Sequence, residues 1–314
     1  MIRRLAILLA TALLVTPLAA PPATAAATCG PAGDLIPAQG ALFGAYAYEG
    51  VGDLSQPEAL EAKIGHQLRI NHNFQPGELP RQRIAADIAD GRIPMISFAA
   101  GDEVALAQEW DTGALDQRAI DEAEALAGYC VPIFFRFTWE FDLRYVDTDL
   151  FKRVWIRVRN IFATRAPNVA FVWNPTWRAF SETNKAVPFY PGDQYVDWIA
   201  ADGYSRPKPD KPEYNYRSFD SMFRAAHTFA VEHGKPFMVG ETGVHRDDTD
   251  LTRQADWLDT TRADVKASYP QLKAFLYFHT DGDDTDNHWR VDTPAANPAL
   301  SSLAGFASDP YFNP

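Results

Sequence analysis

The chain has 314 residues, enough for one large domain with a sizeable core. Its 41 acidic residues outnumber its 29 lysines and arginines, a formal charge of −12. That balance argues against nucleic acid or an anionic membrane surface as partner, since both reward clustered cations. Eight Trp, twelve Tyr and twenty Phe supply flat apolar faces, which fill a core or stack on sugar rings. A neutral polysaccharide is the partner such a composition suits.

The chain opens on Arg3 and Arg4, an apolar run over residues 5–15, and small residues that include Ala23-Thr24-Ala25 and Ala25-Ala26-Ala27. This is the pattern of a cleaved export signal, so residues 1–27 are expected to be a signal peptide and the protein to be secreted and extracellular. The apolar run is too short to span a bilayer, and no later stretch reaches 18 apolar residues. No membrane association is expected after cleavage; a retained anchor is the alternative. Cys29 raises a lipoprotein reading, but Ala26-Ala27-Thr28 matches the small-residue box before such a cysteine poorly. Without Arg3 and Arg4 the balance is 27 basic against 41 acidic residues, or −14. Cys29 and Cys130 are the two cysteines, and an even pair in an exported protein suggests a disulfide, against two free thiols. It would pin the start of the mature chain beside the strand that begins near Val131.

Residues 28–314 hold no repeat and no linker, so one domain is expected. Strand-like apolar runs occupy residues 41–46, 67–71, 93–98, 132–137, 169–173, 198–202, 236–239 and 272–278. Helix-like segments occupy 57–64, 81–90, 115–127, 150–163, 218–233 and 252–268. Each strand is apolar on both faces, as when one side meets a packed barrel interior and the other a helix. The alternation predicts a single-domain (β/α)8 barrel, a TIM barrel. A doubly wound open sheet is the alternative; neither a G-x-G-x-x-G nor a P-loop follows the first strand. Between strands five and six, residues 176–193 hold two prolines and a Tyr-Pro-Gly-Asp turn, which reads as a long loop with at most a short helix.

Two of the apolar runs end in a lone glutamate: Arg136-Phe137-Thr138-Trp139-Glu140 and Met238-Val239-Gly240-Glu241-Thr242-Gly243. A buried acid is costly unless something pairs or uses it. Placed at the ends of strands four and seven, the two carboxyl groups would face each other across the barrel mouth, where such barrels carry their active sites. Retaining glycosidases need one protonated carboxyl group and one ionised carboxylate on either side of the scissile bond. Glu140, among Phe137, Trp139 and Phe141, suits the acid/base. Glu241, between Gly240 and Gly243, suits the nucleophile. The alternative for each is a structural carboxylate paired with an arginine.

Over residues 44–289 the chain resembles glycoside hydrolase family 26, the family of many β-mannanases. The resemblance is carried by Arg136…Glu140, Phe171-Val172-Trp173-Asn174-Pro175, and Tyr190-Pro191-Gly192-Asp193-Gln194-Tyr195-Val196-Asp197. Asp202-Gly203-Tyr204 and Gly234-Lys235-Pro236…Gly240-Glu241-Thr242-Gly243 complete it. The resemblance implies Glu140 as acid/base and Glu241 as nucleophile. It implies Tyr204 as the hydroxyl that holds the nucleophile, and Arg136 as the guanidinium that orients a neighbouring carboxylate. Three departures bear on specificity. Trp139 stands where the family usually has His; Phe98-Ala99-Ala100-Gly101-Asp102 replaces a Trp-His pair; and Tyr277-Phe278-His279 stands where a Trp floor is common.

The expectation is an endo-acting retaining β-glycosidase that needs no cofactor, with mannan or glucomannan as substrate. Mixed-linkage glucan or xylan is the rival substrate, and a non-catalytic sugar-binding barrel the rival class. Arg136, Trp139, Trp173, Trp177, Tyr204, His279 and Trp289 are the candidate substrate-binding residues. His72 and His245 are further candidates, His72 more readily read as structural. Asp281, Asp283 and Asp286 lie in an acidic run with the oxygen ligands of a calcium loop, but without the glycine and distal glutamate of an EF-hand, so a solvated rim is the favoured reading. The absence of H-E-x-x-H, C-x-x-C and G-x-S-x-G leaves zinc and serine-hydrolase chemistry without motif support. A monomer is expected.

Overall fold

The structure, a computed structural model, describes residues 29–47, 55–75, 78–207, 215–281 and 288–314. The expected signal peptide lies outside these residues. A 3-10 turn over Ala32–Leu35 leads into β1 (Leu42–Tyr46), α1 (Gln56–Ile64), β2 (Ile70–Gln75) and α2 (Arg81–Ala89). Next come β3 (Ile93–Phe98), α3 (Glu103–Thr112), α4 (Ala114–Ala127), β4 (Ile133–Phe137), α5 (Phe141–Arg144) and α6 (Thr148–Arg165). β5 (Val169–Trp173) is followed by two single turns, α7 (Arg178–Ser181) and α8 (Ala186–Phe189), and then by β6 (Trp198–Ser205) and α9 (Phe219–Glu232). β7 (Phe237–Val244), α10 (Thr252–Ser268), β8 (Leu272–Phe278) and α11 (Ala299–Ser308) complete the chain.

The eight strands are all parallel and close in sequence order, β8 pairing with β1 from Leu42↔Ala274 to Tyr46↔Phe278. The expected (β/α)8 barrel is the fold. Alternate residues of each strand divide between two cores. Leu42, Ile70, Met95, Phe134, Val172, Trp198, Met238 and Leu276 point inward, with Leu35 of the 3-10 turn packed against them. The residues between them point out to the helices. The helices present matching stripes: α6 buries Leu150, Phe151, Val154, Trp155, Val158 and Phe162, the spacing of one helical face. Asp147 caps its first turn, accepting from the N–H of Asp149 and Leu150.

The N-terminal end of the barrel is tied down by the start of the chain. Ala32 N–H donates to the Pro167 carbonyl (2.9 Å), and Cys29 forms a disulfide with Cys130, just before β4. The expected disulfide is therefore present.

Three features differ from the sequence expectation. α3 is an extra helix; Leu106 is its one buried residue, so it carries almost no apolar periodicity. Asp102 caps it and Gly113, at φ 75°, turns the chain into α4. α11 is also extra: it follows the last strand and lays Phe306 on Phe43 and Phe275, with ring centroids 5.8 and 4.7 Å apart. β2, β6 and β7 run past their expected ends to Gln75, Ser205 and Val244, so Glu241 lies inside β7.

Candidate active site

On β4, Phe135 and Phe137 face the helices, and Arg136, between them, faces the barrel interior and is fully buried. A guanidinium there requires acceptors, and the facing strands supply them. Its Nη2 donates to Asp202 Oδ2 of β6 (2.6 Å) and to Glu241 Oε1 of β7 (2.8 Å). Burial opposes its charge, but Asp202 and Glu241 outweigh it and hold Arg136 firmly protonated. Nη1 lies 3.5 Å from Nε2 of His72 on β2, which also meets Ser97 Oγ at 2.6 Å. Burial first, and then the Arg136 charge, lowers the basicity of His72 well below its usual value, so this imidazole is neutral. A guanidinium can only donate, so Nε2 faces Arg136 as an acceptor.

Strict alternation along β7 would turn Glu241 outward, since Met238 faces in. A bulge corrects this. Ala201 pairs with Val239, but Asp202 pairs with Glu241, leaving Gly240 as the extra residue. The same shift appears against β8, between Val239↔Phe275 and Thr242↔Tyr277. Gly240 has no room for a side chain: a Cβ there would sit 2.2 Å from Asn174 Oδ1 and 2.7 Å from Asp202 Oδ1. Glu241 is thereby swung inward, where its second oxygen accepts from the Tyr204 hydroxyl at 2.6 Å. Burial, and then the Glu241 charge, pushes the Tyr204 hydroxyl well above the usual tyrosine range, so it remains a donor.

Glu140 reaches the mouth through two left-handed residues, Thr138 at φ 49° and Glu140 itself at φ 51°. Each is a strained conformation costing about 1–3 kcal/mol, retained where the surroundings fix it. Here Thr138 N–H donates to the Phe98 carbonyl (2.8 Å) and Glu140 N–H to the Asn174 carbonyl (2.7 Å), stitching the turn to β3 and β5. Asp142 accepts from the N–H and hydroxyl of Thr176, which ties the same loop to the one after β5. Burial first, and then the charge of Glu241, pushes the Glu140 carboxyl up to about 7. Burial likewise raises Asp202 well above the usual carboxylate range, with Arg136 opposing.

Of the residues singled out from sequence, Arg136, Glu140, Tyr204 and Glu241 converge at the C-terminal rim, and Trp139 lies half-buried beside them. Trp289 is buried against Tyr204, ring centroids 4.7 Å apart, and covers Gly243. His72 belongs to this cluster through Arg136, closer to the centre than its structural reading implied. Trp173, Trp177 and His279 do not reach the mouth. Trp173 faces outward among Phe141, Tyr190 and Phe229. Trp177 packs on the outer side of Gly203, beside Arg178 and Arg217. His279 is buried against Asp292, which also binds Lys63 and Arg290. The ring of His245 lies 5.9 Å from Trp289, at the periphery. Asp283 and Asp286 fall outside the described residues, and Asp281 bridges to His288. Among the described residues no cluster of His, Cys, Asp and Glu could hold a metal ion, and no helix is long and apolar enough to cross a membrane.

Sequence reasoning passed over Asp202, Asn174 and Ser97. Asp202 carries the same signal as the two glutamates, an acid closing an apolar run, and that signal would have found it. A closed barrel with two carboxyl groups of unlike environment at its C-terminal rim is the arrangement glycoside hydrolysis uses. The model of glycosyl hydrolase family 26 matches residues 112–290, more than half of the chain, and the protein belongs to that family. A relative, Endoglucanase H of Acetivibrio thermocellus, is 27% identical over 147 residues. That match covers 46% of this chain and spans only 16% of the relative's length. Among solved structures, a family 26 β-mannanase from Bacteroides ovatus shares the fold with a TM-score of 0.65 at 16% identity, over 87% of this chain and 90% of that one. A modular endo-β-1,4-mannanase from Cellulomonas fimi does so with a TM-score of 0.65 at 17% identity, over 87% and 71%.

Proposed function

We propose that the protein is an exported, retaining, endo-acting β-glycosidase that hydrolyses a β-1,4-linked polysaccharide, mannan or glucomannan foremost. The observation that carries the reading is the unlike treatment of two neighbouring carboxyl groups. Glu140 is held up to about 7 by burial and by Glu241, as an acid must be at neutral pH. Glu241 accepts a hydrogen bond at each oxygen, from Arg136 and from Tyr204, which aims it as a nucleophile.

In the first step Glu140 gives its proton to the glycosidic oxygen as the bond to the anomeric carbon breaks, and a Glu241 oxygen bonds to that carbon. The leaving chain departs as an alcohol. Esterification removes the Glu241 charge, which was one of the causes holding the Glu140 proton, so Glu140 now serves as base. It takes a proton from water, the resulting hydroxide oxygen bonds to the anomeric carbon, and Glu241 leaves as carboxylate. Two inversions give retention. Arg136 stays paired with Asp202 throughout and keeps Glu241 oriented between the two steps. The mannanase structures that share the fold support the mannan reading. The match to Endoglucanase H, together with Trp139, supports a β-glucan backbone as the second reading.

The test incubates the wild type and Glu241→Ala with glucomannan, galactomannan, mixed-linkage β-glucan and xylan, and measures new reducing ends. Release by the wild type alone is expected, with mannans cleaved fastest. No release from any polymer, with retardation in polysaccharide gels, would replace the hydrolase by a sugar-binding barrel.

A further inference from the structure

Glu140 opens the single helical turn of α5, which the Leu143 N–H closes by donating to the Glu140 carbonyl (3.1 Å). Arg144 ends that turn, four residues beyond Glu140. Its guanidinium carbon stands 4.5 Å from the ring centroid of Trp139, the residue just before Glu140. Trp139 is itself steadied by an edge contact with Phe74 at 5.1 Å. The turn is fastened on both sides. The Tyr145 hydroxyl donates to the Gly101 carbonyl (2.7 Å), and Glu103 accepts from the N–H groups of Val146 (2.6 Å) and Asp147 (3.0 Å). On the other side Lys185 Nζ donates to the Asp142 carbonyl (2.8 Å). Arg144 is exposed at the rim, so its place is set by the turn beneath it and by the indole face. Indole is the best of the aromatic rings at holding a cation.

We propose that Arg144, held against Trp139, is a positioning residue for Glu140: its charge supports the carboxylate that Glu140 becomes when it gives up its proton to the glycosidic oxygen. The inference rests on the glycosidase reading above. The charged groups around Glu140 come from β4, β6, β7 and α5. Burial and then the Glu241 charge hold the proton on; Arg136 and after it Arg144 loosen it, and Asp142 opposes them. Asp202 and the Tyr204 hydroxyl feel the Glu140 charge in turn. The two arginines differ in kind. Arg136 binds Asp202 and Glu241, so its charge is answered by theirs. Arg144 rests on a neutral ring, which seats the cation without cancelling its charge. A stronger acid favours the first step, in which the proton leaves Glu140, and makes a weaker base for the second. The departure from the family at Trp139 thus bears on the proton as well as on the sugar.

The experiment follows the Glu140 carboxyl directly, by carbon NMR titration of protein labelled at the glutamate side-chain carboxyl, the signal being assigned by its loss in Glu140→Gln. It compares the wild type, Arg144→Met and Arg144→Lys, with thermal unfolding to establish that each is folded; Arg144→Gln takes the place of Arg144→Met if that variant does not fold. Arg144→Met keeps the stem and removes the charge. It should move the Glu140 midpoint up by about 0.5 in pH at low salt, and Arg144→Lys should restore most of the wild-type value. High salt should bring the wild type toward Arg144→Met, because an exposed charge is screened. The upper limb of kcat/KM should move up with the midpoint. Below that limb Arg144→Met should cleave a tetraose about two-fold more slowly, and a dinitrophenyl glycoside, whose leaving group needs no proton, at the wild-type kcat/KM. A Glu140 midpoint unchanged in the folded variant, or equal losses on the two substrates, overturns the proposal. If the wild type cleaves nothing while the midpoint still moves with Arg144, the role of the charge stands and the hydrolase reading falls. A protein that cleaves nothing, with a midpoint indifferent to Arg144, overturns both.

Discussion

Two residues at the mouth carry consequences that can be measured separately. Glu140 binds its proton up to about 7 in the folded protein, against 4.5 for an ordinary glutamate. The raised value means that the folded state holds the proton more tightly than the unfolded state. Its stabilising effect is complete below about pH 4.5 and is lost as pH rises through 7. Glu140→Gln, which cannot ionise, should match the wild type in melting temperature at pH 4 and exceed it at pH 8; equal melting temperatures at pH 8 would contradict a strained, ionised Glu140. In the wild type, kcat/KM should fall as pH rises through about 7, because the proton donated in the first step is then absent. Gly240 gives a second test. Asn174 and Asp202, which crowd its α-carbon, are buried, and Asp202 is fixed by Arg136, so neither can step aside. Gly240→Ala should destabilise by about 1–3 kcal/mol, as overpacking does. By displacing Glu241 it should also lower kcat at least ten-fold, read by denaturant titration and initial rates. Wild-type activity in that variant would show that the bulge tolerates a side chain.

At the level of elements, the same strands expose what a sequence can and cannot convey. β4 and β7 were legible because an acid ending an apolar run is rare and costly. β5 was not: Val169 to Trp173 is buried on both faces, so nothing in its pattern says that Trp173 turns to the helices while Asn174 turns to the mouth. Tyr46 and Phe74 were illegible for another reason. They stand near the ends of β1 and β2, and only closure of the barrel sets them beside Phe278 of β8. The disulfide was readable from an even pair of cysteines behind an expected export signal, and its position makes a clean prediction. It lies at the N-terminal ends of the strands, opposite Glu140 and Glu241, and spans 101 residues of sequence. Cys130→Ser should therefore lower the unfolding free energy, by up to about 4–5 kcal/mol in the chain-entropy picture and commonly less. Activity per folded molecule should be unchanged; a loss of kcat would mean that the barrel's two ends are coupled.

For the whole molecule, the division of labour between the two cores explains how an acidic, aromatic-rich composition serves a single site. Most large rings, Trp155, Trp173, Trp198 and Phe171 among them, are spent on packing; of those left half-buried, Tyr46, Phe74, Trp139, Tyr204 and Phe278 stand at the mouth. Closure also has a bearing on how the chain is made. β1 is synthesised first among the strands and finds one of its two neighbours, β8, only when residues 272–278 have emerged. Until then the growing sheet has two raw edges with unpaired backbone groups, the situation that favours pairing with other chains. The topology that gives the folded barrel no sheet edge thus leaves any fragment that stops short of β8 with two open, adhesive edges.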